Sequence, residues 1–196
     1  MTKRLIGLTG GIATGKSTVA NYLASAYNLP ILDADIYARD AVSINSPILA
    51  QIAERYGKEE ILLPDRNLNR AKLGEIIFNQ HEERQWVENV IHPYVRNCFL
   101  KTINESSVNT LVLVIPLLFE AGLENLVSEI WVVSCSAEQQ KQRLIQRNNL
   151  THEQAANRIN SQLPISEKIA RADVILDNSS TLESLLQQVD EVIKRI

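Results

Sequence analysis

Gly10-Gly11-Ile12-Ala13-Thr14-Gly15-Lys16-Ser17 is the stretch from which the fold can be read. It fits the pattern G-x-x-x-x-G-K-[ST], in which glycines let the backbone curl so that successive N–H groups point inward at a phosphate. Lys16 adds a point charge suited to β- and γ-phosphates, and the Ser17 hydroxyl suits a magnesium ion. The run Leu5-Ile6-Gly7-Leu8 comes just before it, short and apolar, as a buried strand should be. From Lys16 to about residue 26 the pattern is helical, with Val19, Leu23 and Ala26 on one side. A helix starting there turns its positive end toward the same anion. By chance the motif alone would occur in roughly one chain in a hundred of this length, so its place between strand and helix gives it weight. The expectation is a phosphate-binding loop, or P-loop, that holds a nucleotide.

Working outward, residues 30–32 form a second strand that stops at Asp33-Ala34-Asp35, so the chain opens strand, helix, strand, a parallel pair with a crossover. Residues 110–115 are continuously apolar, as in a strand covered on both faces. Residues 129–134 and 173–176 read as the fourth and fifth strands. Leu182, Leu185, Leu186, Val189, Val192 and Ile193 give the last helix an apolar stripe to pack on the sheet. Between the second and third strands the pattern is helical. Ser46-Pro47 reads as a cap with proline at the first helical position, and Asn69 caps a segment running to residue 78. Another helix covers about 82–91, His92-Pro93 interrupts it, and helix resumes over 94–103. Ser136-Ala137-Glu138-Gln139 and Thr151-His152-Glu153-Gln154 are both capping-box patterns, which open a polar helical hairpin.

The fold class expected is therefore α/β. It is a single three-layer α/β/α P-loop domain over 1–196 with five parallel strands. Its core is 1–35, 108–136 and 172–196, its helical insertion 36–107 and its arginine-bearing lid 137–171.

With 196 residues, 45% of them hydrophobic, the chain has enough apolar material for one substantial core. Lys and Arg number 20 against 23 acidic residues, for a formal charge of −3. That balance argues against a broad nucleic-acid footprint, which needs clustered basic excess, while leaving room for a small anionic substrate. Cys98 and Cys135 lack metal-ligand spacing and read as thiols in a reducing compartment. No apolar stretch approaches the length of a membrane span. The charged start Met1-Thr2-Lys3-Arg4 is followed by an apolar run too short for a signal peptide. A cytoplasmic enzyme with no membrane, nucleic-acid or obligate protein partner is expected.

A nucleotide loop does not by itself name a reaction. The N-K-x-D and D-x-x-G signatures of a guanine-nucleotide switch are missing from the sequence. The acidic residue usual after the third strand is also missing, because residues 110–115 run directly into Pro116. Carboxylates instead follow the second strand, at Asp33 and Asp35. Ligands of an open parallel sheet lie beyond the carboxyl ends of its strands. Asp33 is thus placed to take the proton of an attacking hydroxyl, although either aspartate would also serve as a helix cap. Arg143 and Arg147, four apart on one helix, share a face, and Arg158 comes from its neighbour. They can close over a triphosphate, or they can form a solvated face with local ion pairs. Two other readings stay open: a kinase of the same architecture with a different small acceptor, and a regulator that senses ATP without transferring phosphate.

The motifs, in order, resemble the dephospho-CoA kinase family from residue 5 to about 180. The resemblance is carried by Leu8-Thr9-Gly10-Gly11-Ile12 with Gly15-Lys16-Ser17-Thr18, Asp33-Ala34-Asp35 with Arg39, Ile91-His92-Pro93 and Pro116-Leu117-Leu118-Phe119-Glu120. Gln142-Arg143 with Arg147, Arg158-Ile159 with Gln162, and Ala172-Asp173 with Asn178 complete it. One departure is Ala13-Thr14, where the family usually has Gly-Ser. Alanine lacks glycine's freedom at positive φ, and the general pattern leaves that position open, so tolerance is expected.

The resemblance implies transfer of the γ-phosphate of ATP, with Mg²⁺, to the 3′-hydroxyl of the ribose of dephospho-CoA, giving CoA and ADP in the last step of CoA biosynthesis. Gly11, Ile12, Ala13, Thr14, Gly15, Lys16, Ser17 and Thr18 would hold ATP, with Ser17 toward the metal. Asp33 would be the general base, with Lys16 and Arg143 also catalytic. Arg143 and Arg147 would close from the lid, with Asn178 near the adenine. Asp33, Asp35, Arg39, His92 and Pro93 would meet the acceptor, although a histidine before proline at a helix break is commonly only a turn residue. Leu117, Leu118 and Phe119 fit either the core or an acceptor-pocket wall, and Glu120 could hold an arginine of the insertion. Lid and insertion are expected to move on binding.

Overall fold

The computed structural model describes residues 3–194. Met1 and Thr2, the first half of the charged start, lie outside it, as do Arg195 and Ile196. Two compact units result among the described residues, one of those up to 33 and from 107 onward and one of residues 34–106.

In the first unit, β1 (Arg4–Gly10), β2 (Ile31–Asp33), β3 (Thr110–Val114), β4 (Glu129–Ser134) and β5 (Val174–Asp177) form a five-stranded sheet in the order β2-β3-β1-β4-β5. Every pairing is parallel. This is the α/β sheet expected, with α-helices in every connection but that from β3 to β4, which holds only a short 3-10 turn at Glu124–Leu126. Ile6 and Leu8 of β1, Val112 and Val114 of β3, Trp131 and Val133 of β4 and Leu176 of β5 alternate onto one face. They pack there with Val19, Ala20 and Leu23 of α1 (Lys16–Tyr27) and Leu185, Val189 and Val192 of α10 (Leu182–Ile193). Trp131, fully buried, donates its indole N–H to Glu129 at 2.9 Å, so the bulkiest core side chain leaves no orphan donor. Asp190 of α10 accepts from Tyr22 and Tyr27 of α1 at 2.7 and 2.6 Å. Those bonds hold its carboxyl below the usual range and push the Tyr27 phenol up to about 12.

Three helices, α7 (Ala137–Asn148), α8 (His152–Asn160) and α9 (Ile165–Ala170), connect β4 to β5. The expected hairpin therefore has a third member. Of the two expected capping boxes, that at Thr151 is complete. At Ser136 only the hydroxyl half forms, because the Gln139 side chain donates to the Ser179 carbonyl at 2.8 Å.

The second unit is helical: α2 (Ala34–Ala41), α3 (Pro47–Tyr56), α4 (Lys58–Ile61), α5 (Arg70–Asn79) and α6 (His81–Glu105). Ser46 and Asn69 cap α3 and α5 through their side-chain oxygens, at 3.0 Å to the amide of Leu49 and 3.1 Å to that of Lys72. Leu49, Ile52, Ile61, Leu68, Leu73 and Val87 anchor its separate core.

The expected break at His92-Pro93 is not there, and α6 runs for 25 residues with Pro93 inside it. Proline removes one ladder bond, that to the carbonyl of residue 89. Asn89 and Pro93 both lie on the exposed side, where water can take the freed carbonyl. Val87, Val95, Phe99 and Ile103, at multiples of four, keep one face buried across the proline. No helix among the described residues is long and apolar enough to cross a membrane.

Candidate active site

Gly10 ends β1 and Lys16 begins α1, so the motif spans the turn between them. Gly15 is the N-cap of α1 at φ 110°, with no side-chain cap. The first amides of the helix are thus left for an anion, with the helix dipole behind them. Ala13 adopts φ 60° despite its Cβ, which costs about 1–2 kcal/mol. At this departure from the family's pattern an alanine thus takes a glycine-like conformation. Lys16 lies across the loop and donates to the carbonyls of Gly10 at 3.2 Å and Gly11 at 2.7 Å. Thr14 is buried, and its hydroxyl donates to the Gly11 carbonyl at 2.9 Å. Ser17 and Thr18, on the first turn of α1, are exposed.

Three side chains from elsewhere in the first unit brace the loop. Gln140 of α7 donates to the Ile12 carbonyl at 2.9 Å, and Gln162, beyond α8, accepts from the Ile12 amide at 2.8 Å. Asn178, after β5, donates to the Thr14 carbonyl at 2.8 Å. A Cβ on Gly11 would come within 2.5 Å of Gln140 Nε2. Neither glutamine was among the site residues inferred from sequence. Gln140, Arg143 and Arg147 do stand at helical spacing on α7, a signal available in the sequence.

Asp33 ends β2, paired with Val114, which pairs in turn with Leu8 of β1. It therefore stands level with Leu8 across two strand spacings, about 10 Å, at the carboxyl edge where the loop opens. Asp33 is half-buried.

Arg143 reaches the Asn178 carbonyl at 3.1 Å and flanks the buried Cys135, whose thiol is pushed up by burial and partly drawn back by the guanidinium. One of its terminal nitrogens is buried without a hydrogen-bond partner. Arg147 and Arg158 are exposed on α7 and α8.

After β3, Leu118 is fully buried and Phe119 nearly so, with the Arg171 guanidinium 4.2 Å from its ring centroid. Of the two roles open to this stretch, burial favours the core for both, and Leu117 is half-buried. Glu120 pairs with Lys168 of α9 at 2.8 Å, where an arginine of the insertion was expected. Lys168 went unread because a lone lysine on a short helix carries no mark of burial in sequence.

Within the helical unit, a cavity of about 350 Å³ is lined by Asp35, Arg39, Arg70, Leu73, Ile77 and Ile91. Arg70 joins the expected Asp35 and Arg39. His92 and Pro93, the next two residues of α6, are half-buried and exposed and do not line it.

The dephospho-CoA kinase family model matches residues 4–184. A dephospho-CoA kinase of Trichormus variabilis is 71% identical over 190 residues, covering 97% of this chain and 96% of its own. A crystal structure from Thermus thermophilus superposes with a TM-score of 0.85 at 31% identity, covering 100% of this chain and 99% of that one. The dephospho-CoA kinase from Campylobacter jejuni superposes with a TM-score of 0.71 at 30% identity, covering 97% and 95%.

Proposed function

The chain belongs to the dephospho-CoA kinase family and is a kinase acting on dephospho-CoA; from that premise we propose how its residues divide the work. Gly11 to Thr18 hold the triphosphate of ATP through loop amides. Lys16 leaves the Gly10 and Gly11 carbonyls for the β- and γ-phosphates. Ser17 offers an oxygen donor that suits Mg²⁺, an ion that keeps most of its coordination to phosphate and water. When bound, the ion neutralises charge on the β- and γ-phosphates.

Asp33 accepts the proton of the 3′-hydroxyl as that oxygen bonds to the γ-phosphorus and the bond to ADP breaks. Arg143, anchored at Asn178, lies on the nucleoside side. Arg147 and Arg158 close over the phosphates from the lid at 137–171. The acceptor side falls to the helical insertion, where Arg39 and Arg70 offer positive charge to a diphosphate and Leu73, Ile77 and Ile91 offer apolar contact to its arm. Asp35, His92 and Pro93 belong to the same side. The enzyme works in the cytoplasm.

One observation carries this reading: Asp33 ends β2 at the carboxyl edge of the sheet, two strands from the one that runs into a nucleotide loop whose helix has no side-chain cap. The experiment is ADP release from Mg-ATP with dephospho-CoA, with AMP and with no acceptor. Release that depends on dephospho-CoA, with CoA as product, is expected. Release only with AMP would keep the loop and remove the acceptor assignment, and no release with either would favour the nucleotide sensor.

A further inference from the structure

We propose that Lys168 is a positioning residue for the nucleotide loop, acting through Glu120 and Gln162; this rests on ATP binding at that loop. Lys168 is 0% exposed. Burying an ammonium costs several kcal/mol unless it is paired and hydrogen-bonded. Its Nζ meets Glu120 Oε1 at 2.8 Å and donates to the Pro116 carbonyl at 3.2 Å.

Both partners lead back to the same place. Glu120 Oε1 also accepts from the Leu163 amide at 3.0 Å, and the preceding residue, Gln162, accepts from the Ile12 amide at 2.8 Å. The Pro116 carbonyl also accepts from the Thr9 hydroxyl at 3.3 Å, one residue before the loop begins. The bonds therefore close a ring. It leaves β1 at Thr9, crosses to Pro116, passes through Lys168 and Glu120 to the segment after α8, and returns to the loop at Ile12. The whole ring lies in the first unit. A pair serving stability alone could be replaced by well-packed apolar side chains at little cost. This one fixes the segment that holds the tip of the loop and the stretch that follows β3.

The test compares Lys168→Met, Gln162→Met and the double variant by thermal unfolding and by steady-state kinetics with ATP and dephospho-CoA varied separately. Each single variant should raise KM for ATP about tenfold, equivalent to about 1.4 kcal/mol of lost binding, with KM for dephospho-CoA unchanged. The double variant should be no worse than the more impaired single one, because both cut the same ring. Gln162 is half-buried near the surface, so its variant keeps the test open should Lys168→Met fail to fold. A lowered melting temperature with ATP kinetics unchanged would make Lys168 structural only and overturn the proposal. So would effects of the two substitutions that multiply. Absence of dephospho-CoA phosphorylation by the unsubstituted protein would instead strike at the functional reading.

Discussion

Asp33→Asn keeps the shape of the side chain and removes its capacity to accept a proton. General-base catalysis contributes about 10²–10⁴-fold, so turnover should fall by that order while equilibrium binding of ATP is unchanged. ADP production that survives undiminished would remove Asp33 from the mechanism. Ala13 tests the loop differently. Its φ of 60° costs about 1–2 kcal/mol, and glycine there would return part of that through a more flexible unfolded chain. Ala13→Gly should raise the melting temperature by roughly 1–3 °C; a fall would show that the conformation is not strained. Gly15, Lys16 and Asp33 were legible in sequence because their chemistry is local: a turn, a helix start, a strand end. The bonds that Gln140, Gln162 and Lys168 make were not, although Gln162 stands in a family motif and Gln140 at helical spacing from Arg143. Gln140 and Gln162 reach partners 128 and 150 residues away, and Lys168 reaches Glu120 from another element, which only tertiary structure brings together.

At the scale of elements, strands were read most closely, because continuous apolar runs admit few alternatives in a sheet covered on both faces. The long α6 was misread where local propensity and tertiary packing disagree. Proline argues for a break, and the four-residue spacing of Val87, Val95, Phe99 and Ile103 argues against one; packing prevails because the lost bond faces solvent. The same helix carries one source of acid sensitivity in its unit. Glu83 on α6 accepts from Arg55 on α3 at 2.7 and 2.8 Å and from Tyr56 at 2.6 Å. Chiefly through Arg55, and next through Tyr56, its carboxyl falls to about 2, and burial and Glu83 push the Tyr56 phenol up to about 12. A depressed carboxyl stabilises the fold fully above its unfolded pKa and loses that contribution as pH falls through the folded one. The contribution of Glu83 is therefore whole above about pH 4.5 and fades toward pH 2. Glu83→Gln should lower stability at neutral pH and flatten its decline across that window, as followed by urea unfolding at a series of pH values. An unchanged pH profile would mean the ion pair contributes nothing measurable.

For the whole molecule, the consequence of two separate cores is that the two substrates need not stabilise the same residues. The chain passes between units only at residues 33–34 and 106–107, and each unit has its own buried cluster. A ligand stabilises what it binds by mass action, about 2.7 kcal/mol at a hundredfold excess over its Kd. If units open independently, that protection is confined to the unit that binds. Under the proposed division, Mg-ADP should slow amide exchange in residues 10–18 and across the lid at 137–171, where Gln140 and Gln162 hold the loop. Dephospho-CoA alone should slow exchange in residues 34–79, around Arg39 and Arg70. Hydrogen exchange read by mass spectrometry separates the two patterns in one experiment. Uniform protection of the whole chain by either ligand would mean that the units open as one cooperative block. Protection of residues 34–79 by Mg-ADP, with none from dephospho-CoA, would reverse the assignment of the helical unit to the acceptor.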